Sequence, residues 1–340
     1  MRASFLATTT YAGQTPPGHQ WPTPPRLCDR ETGALTMQRT LDSCRRAEEL
    51  GFDWISLSEH HYAPIMLTPS PLVMAGAVSQ VVKRCKIAVL GPLLPLANPV
   101  RVAEEVAMLD AITGGRVVVL FLRGTPSEHR VYNDVADTAR AMTQEGIDLI
   151  LKAWTSEEPF AWKSEHFDFP TVSVWPRTVQ EPHPVTFGSG NSDESVAFAA
   201  KRKLGIGISF ATVDITRRLI VLYREEARAA GWTPGPEHVL YRATVQIAET
   251  DAAAREEFRA ATGRDSTTMP EPQGQLAYLS LPYFFGSPQS VLDQIARLRE
   301  AGVGTIDLGF QSNLGMIDYD GQARQMELFA REVIPEIRGW

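Results

Sequence analysis

Apolar and polar positions follow two rhythms along this chain. Short, densely apolar runs recur at residues 2–10, 53–58, 86–94, 116–122, 185–187, 204–210, 239–248 and 305–310. Their length and near-continuous apolar character are those of strands buried on both faces of a parallel sheet. Between them, apolar residues return every three or four positions. Met37, Leu41, Cys44, Ala47 and Leu50 mark one such helix, and Gly51 ends it. Further helices are predicted over 71–83, 100–112, 139–154, from about 193, and over 215–230, 287–301 and 321–337. Eight strand–helix units without a linker predict an α/β fold, a (β/α)8 TIM barrel in which 1–340 form a single domain. A doubly wound open sheet is the alternative. Three long connectors interrupt the pattern after strands 1, 4 and 7, at 12–35, 157–184 and 262–285. The first is rich in proline, the second in aromatics with room for a hairpin, and the third is placed to act as an active-site lid.

Composition narrows the function. A formal charge of -7 without a long basic run argues against nucleic acid and anionic membrane as partners. The three cysteines, Cys28, Cys44 and Cys85, lack metal-ligand spacing and point to a reducing, cytoplasmic setting. The first apolar stretch breaks at Thr8-Thr9-Thr10 and reads as a strand, not a leader.

The candidate chemistry lies at strand ends. Glu59, His60 and His61 emerge where the second strand gives way to a loop. There, titratable groups either serve a barrel's active site or simply line a solvated loop. Arg123-Gly124 follows the fourth strand and offers a forked donor to a phosphate, or a surface ion pair. Gly188-Ser189-Gly190-Asn191-Ser192 opens a helix, where backbone N–H groups and hydroxyls attract anions, and Ser192 is also a good N-cap. Asp193 and Glu194 in the first turn would repel a phosphate unless they point away. Asn98 either caps its helix or contacts a substrate, Arg101 and Glu105 have the spacing of a structural pair, and Phe210 is placed to wall a planar ligand or to join the core.

Taken in order, Glu59-His60-His61, the run from Leu94-Pro95 to Glu104-Glu105, Leu109-Asp110 through Gly115-Arg116, Arg123-Gly124, the loop from Gly188, Gly286-Ser287-Pro288-Gln289 and the closing Val333-Ile334-Pro335 closely resemble the bacterial luciferase-like flavin monooxygenase family. The resemblance spans nearly the whole chain. It implies a (β/α)8 barrel, usually a homodimer, that uses reduced FMN (FMNH2) and O2. A separate flavin reductase is implied as the source of the reduced cofactor. It assigns the flavin phosphate to Arg123 and the loop Ser189, Gly190, Asn191 and Ser192. It places a non-proline cis peptide near Leu90-Gly91, beside the flavin, and makes His60 the functional histidine. The cysteine that luciferase carries before the arginine is Leu122 here, so light emission is not implied.

The activity that follows is oxygenation of a small apolar or aromatic substrate through a C4a-(hydro)peroxyflavin. His60 would give or take a proton, Glu59 would orient it, and His61, Asn98 and Phe210 would contact substrate. Only six of the 33 basic residues are lysine, a bias that suits a GC-rich genome and a tailoring enzyme of natural-product biosynthesis. The competing readings are an F420-dependent oxidoreductase of the same superfamily and a non-catalytic flavin-binding protein. A metal-dependent hydrolase is disfavoured, because adjacent histidines on one loop rarely share a metal and no further ligand cluster is apparent.

Overall fold

The parallel ladders of the computed structural model, which describes residues 1–13, 21–262, 284–310 and 319–340, close on themselves. In chain order the elements are β1 (Arg2–Leu6), α1 (Arg30–Glu49), β2 (Trp54–Leu57), α2 (Pro71–Val81), β3 (Lys86–Leu93), α3 (Pro99–Thr113), β4 (Val117–Leu122) and α4 (Ala139–Thr155). There follow β5 (Phe160–Lys163), β6 (Asp168–Val172), β7 (Val185–Ser189), α5 (Asp193–Lys201), β8 (Gly205–Ser209), α6 (Val213–Ala229) and β9 (Val239–Ile247). The chain ends in α7 (Asp251–Thr262), β10 (Phe284–Gly286), α8 (Pro288–Ala301), β11 (Thr305–Phe310), α9 (Tyr319–Glu332) and α10 (Ile334–Gly339). β1, β2, β3, β4, β7, β8, β9 and β11 are neighbours in that order, and β11 returns to β1, giving a closed eight-stranded parallel barrel. β10 adds a short parallel pairing to the end of β9.

The two-residue period of each strand sorts side chains to two cores. Ile87, Val89, Val117, Val119 and Phe121 pack outward under the helices. Ala88, Leu90, Val118, Leu120, Phe187, Trp54 and Leu240 fill the barrel. The β1–β2–β11 side of the interior is polar instead, with Ser4, Ser56 and Asp307 all fully buried. Helices α2, α3, α5, α6 and α8 begin at the C-terminal end of the strands. Ser70, Asn98, Ser192, Thr212 and Ser287 cap them there.

Two boundaries differ from expectation. β1 stops at Leu6 instead of reaching Thr10, because the next residues bond to the loop after β2: Leu67 N–H donates to Thr9 O at 2.9 Å and Tyr11 N–H to Pro64 O at 2.8 Å. α1 starts seven residues before its first apolar marker, because Asp29 accepts from Thr32 N–H at 2.8 Å and caps a polar first turn. β5 and β6 form an antiparallel hairpin. Glu145 of α4 pins it, accepting from the Ser164 hydroxyl at 2.5 Å and His166 N–H at 3.1 Å. The lid expected over 262–285 lies outside the described residues, apart from Thr262, Phe284 and Phe285. Among the described residues no helix is long and apolar enough to cross a membrane.

Candidate active site

The loops at the C-terminal mouth of the barrel bring most of the expected residues together, though not in the expected pairs. Glu59, His60 and His61 follow β2 in the loop past its C-terminal end, where each histidine finds its own carboxylate. Glu59 serves His61: its Oε1 lies 2.9 Å from His61 Nε2, and its Oε2 accepts Leu93 N–H at 3.1 Å. This corrects the expectation that Glu59 orients His60. It also corrects that of His61 as a substrate contact, since the His61 side chain is only 2% exposed.

His60 is held by an acid the sequence reading missed. Its Nδ1 lies 2.8 Å from Glu128 Oε1, in the turn after β4. The other Glu128 oxygen accepts Thr125 N–H at 2.8 Å and the Thr125 hydroxyl at 2.9 Å. Burial alone would push the Glu128 carboxyl up. The bond to His60, its charge and the Thr125 donors outweigh burial and hold the group below its ordinary value. An ionised carboxylate only accepts, so Nδ1 of His60 carries the proton. Nε2 has no hydrogen bond among the described residues, and the side chain is 34% exposed. The signal for Glu128 was present: Thr125-x-x-Glu128 has the spacing of a reciprocal capping pair.

A second missed group closes the floor. Arg242 of β9 reaches across the barrel and donates to Asp307 at 2.7 Å, to Ser58 Oγ at 2.6 Å and to Leu90 O at 3.3 Å. Ser58 in turn donates to Leu90 O at 2.8 Å, and Ser56 to Asp307 at 2.5 Å. Arg242, with Leu90, Leu120, Leu122, Leu240 and Asn191, lines a small hollow beneath the mouth. Two charges inside otherwise apolar strands were the available sequence signal. The peptide Leu90–Gly91 is cis. A Cβ at Gly91 would fall 1.6 Å from Leu120 O, so only glycine fits there.

The anion-binding candidates are brought together by strand order. β4 pairs with β7 up to Leu120↔Phe187, and Arg123 and Gly190 each follow three residues later, just past the ends of these neighbouring strands. Gly124 turns the chain there at φ +88°. The side chains of Arg123 and Ser189 have no hydrogen bond or ion pair among the described residues. Asp193 and Glu194, which threatened an anion site, are drawn outward into ion pairs with Arg218 and Arg140. The loop is less open than expected, however. Gly190 N–H is used by Gly207 O at 2.8 Å, Asn191 Oδ1 accepts Ser209 N–H at 2.9 Å, and Ser192 caps α5. Asn98 is an exposed N-cap whose oxygen takes Val100 and Arg101 N–H at 3.0 and 3.2 Å, the first of its two expected roles. Arg101 pairs with Glu105 at 2.7 Å. Phe210 follows β8 directly, half-buried in the left-handed region, at φ +52°.

The C-terminal mouth of this closed (β/α)8 barrel thus carries two histidines each paired with a carboxylate, an arginine without a partner among the described residues and a small-residue loop. The sequence pattern of the luciferase-like monooxygenases matches residues 20–305, and the chain belongs to that family. It is 30% identical over 199 residues to the alkanal monooxygenase beta chain of Vibrio harveyi, covering 57% of this chain and 60% of that one. The chain thus spans about three fifths of the length of the first curated relatives it matches. Among solved structures, monooxygenase RslO1 from Streptomyces bottropensis superposes with TM-score 0.81 at 24% identity over 99% of both chains. The oxygenating constituent of 3,6-diketocamphane monooxygenase from Pseudomonas putida, in complex with FMN, gives 0.76 at 21% over 99% of this chain and 98% of that one. An F420-dependent secondary alcohol dehydrogenase gives 0.72 at 19% over 99% of both. These three likenesses concern the fold.

Proposed function

We propose that this protein is a flavin-dependent monooxygenase that takes reduced FMN and O2 and oxygenates a small apolar or aromatic compound. The observation that carries the reading is Arg123, a guanidinium without a partner among the described residues, just past the end of β4 as the Ser189–Ser192 loop is at the end of the neighbouring β7. A phosphate dianion suits it: the guanidinium gives two parallel donors, and Ser189 adds a hydroxyl. When bound, reduced flavin supplies the electrons that activate dioxygen.

The chain's own residues do the rest. Arg123 and the loop bind the cofactor's anionic tail. Leu90, Leu120, Leu122 and Leu240 give the hollow apolar walls that exclude water. Glu128 fixes His60 with Nδ1 protonated, so that Nε2 takes a proton from the reacting oxygen or returns one to it. Reduced FMN arrives from a separate reductase. The reading includes a homodimer, formed through the exposed Val73 of α2 and Met108 and Ile112 of α3.

The test is stopped-flow absorbance of the protein mixed with photoreduced FMN and then with oxygenated buffer. The reading expects a transient absorbing species before oxidised flavin returns. Reoxidation as fast as free FMN would sink it. Hydride chemistry on F420, an activity named for one fold neighbour, would then be tested by titration with F420.

A further inference from the structure

Three loops at the barrel mouth each contribute one aromatic ring to a clustered wall around His61, the chain neighbour of His60. Trp21 comes from the segment after β1, Tyr62 follows His61, and Tyr132 lies four residues past Glu128. Trp21 and Tyr62 pack with ring centroids 5.8 Å apart and planes tilted by 33°. Tyr62 and Tyr132 each meet the buried His61 ring edge-on, at 6.0 and 5.5 Å.

Two of the three rings are anchored from behind. Trp21 Nε1 donates to His61 O at 3.0 Å, Tyr62 Oη to Val131 O at 3.1 Å, and Thr23 N–H to Tyr62 O at 2.8 Å. Glu59 clamps His61 itself. Tyr62 adopts φ +57°, a conformation that costs a bulky residue energy and persists only where its surroundings impose it. Despite this anchoring the rings are not buried: Tyr62 is 46% and Tyr132 60% exposed. The Tyr132 hydroxyl makes no hydrogen bond among the described residues. Burial of the phenol, followed by the nearby Glu59 carboxylate, pushes Tyr132 above its ordinary value, so its hydroxyl remains a donor at neutral pH.

One exposed tyrosine would mean nothing. Two of them, from different loops, share one clamped histidine on the same run of chain as His60. Core packing does not explain an anchored ring and its neighbour left this open. We propose that this wall is the substrate subsite and that it takes a planar aromatic compound bearing a hydrogen-bond acceptor, its ring against Tyr62 and Tyr132 and its acceptor at the Tyr132 hydroxyl. The inference rests on the oxygenase reading, in which His60 marks where the reacting carbon arrives. Rigid ring faces and edges reward another ring beyond the area it covers. A flexible alkyl chain gains area alone and loses rotamer freedom on being fixed.

Two aldehydes of similar size make the test: 2-naphthaldehyde, which is planar, and decanal, which is not. Each is equilibrated by dialysis with the full chain, with and without oxidised FMN. The wall predicts at least about 10-fold tighter binding of 2-naphthaldehyde. Tyr132→Ala, at an exposed position, removes about 10-fold of that affinity and a smaller factor from decanal, which loses the hydroxyl but no ring contact. Tyr132→Phe shows a smaller loss that isolates the hydroxyl. Decanal binding as tightly as 2-naphthaldehyde overturns the proposal, as does an affinity for 2-naphthaldehyde that Tyr132→Ala leaves intact. Failure of the wild type to bind photoreduced FMN in the absence of oxygen would instead strike the oxygenase reading, and dialysis without FMN still judges the wall.

Discussion

Replacing Glu128 by Gln exchanges one oxygen for an NH2 at nearly constant volume, in a side chain only 5% exposed. The two Thr125 donors, at 2.8 and 2.9 Å, keep an oxygen on their side and so turn the new NH2 toward His60 Nδ1. In the wild type that nitrogen donates to a carboxylate at 2.8 Å. In Glu128→Gln the neutral ring must reverse its tautomer, with Nδ1 accepting and Nε2 carrying the hydrogen. A charge-assisted bond of roughly 1.5–3 kcal/mol becomes a neutral one of roughly 0.5–1.5 kcal/mol, so about 1 kcal/mol of stability is lost at neutral pH. If Nε2 is the atom that accepts the proton, product formation falls by about 10²–10⁴.

Ring 15N shifts of labelled histidine distinguish the tautomers directly, and urea unfolding gives the stability. The pH dependence has a definite sign. Glu128 has a depressed folded pKa, so its contribution is fully present above the ordinary carboxylate range and is lost as pH falls through the depressed value. The gap between wild type and Glu128→Gln therefore narrows below about pH 4. An unchanged His60 tautomer in the variant, or a stability gap that widens below about pH 4, would refute the reasoning.

Arg123→Ala should weaken FMN binding by about 10- to 100-fold in a flavin-fluorescence titration and leave the melting temperature unchanged, since the side chain has no described partner to lose. Unchanged affinity removes Arg123 from the phosphate site. Gly91→Ala sets a methyl 1.6 Å from Leu120 O, and its cost should exceed about 3 kcal/mol in urea unfolding or prevent soluble expression. A wild-type midpoint would contradict the packing of β3 on β4. Glu48, 8% exposed, accepts the backbone N–H groups of Lys83, Arg84 and Cys85. Burial works to raise its pKa, but these donors outweigh it and hold the group low. Glu48→Ala should cost about 2–4 kcal/mol at neutral pH, a deficit that shrinks as pH falls below the carboxylate range; a deficit independent of pH would show that the charge is not what matters.

The order of strands and helices was legible because each barrel strand is buried on both faces and each helix on one. Those two constraints write different periods into the sequence. Boundaries were less legible where hydrogen bonding, not burial, decides them, as at Thr9 and Asp29. The site was half legible. Arg123 and His60 stand at strand ends, where position alone makes them candidates. The pairing of Glu59 with His61 was not readable, because both lie in the loop past β2, which carries no strand period, and adjacency in sequence pointed to the wrong partner. The bond from His60 to Glu128 joins residues 68 apart and depends on β2 and β4 each lying beside β3. That of Arg242 to Asp307 spans 65 residues and depends on β9 lying beside β11. No local pattern encodes either contact.

The Arg242–Asp307 pair also needs a reason, because burying two charges is rarely the most stable choice. An apolar pair of the same volume is often as stable or more so. What an apolar pair could not do is donate to Ser58 Oγ and Leu90 O. Through those bonds β9 and β11 hold the ends of β2 and β3 in one arrangement. Glu59 repeats the tie one step higher, from the β2 loop to Leu93 N–H, and the His60–Glu128 bond carries it across to the loop after β4. Each link uses a charged group where a neutral one would suffice for folding, and together they join the elements bearing His60, the Leu90–Gly91 peptide and Arg123. Moving any one of these loops alone would strand a buried charge. The polar half of the barrel interior is therefore best understood as the device that keeps the mouth rigid, at some expense in stability.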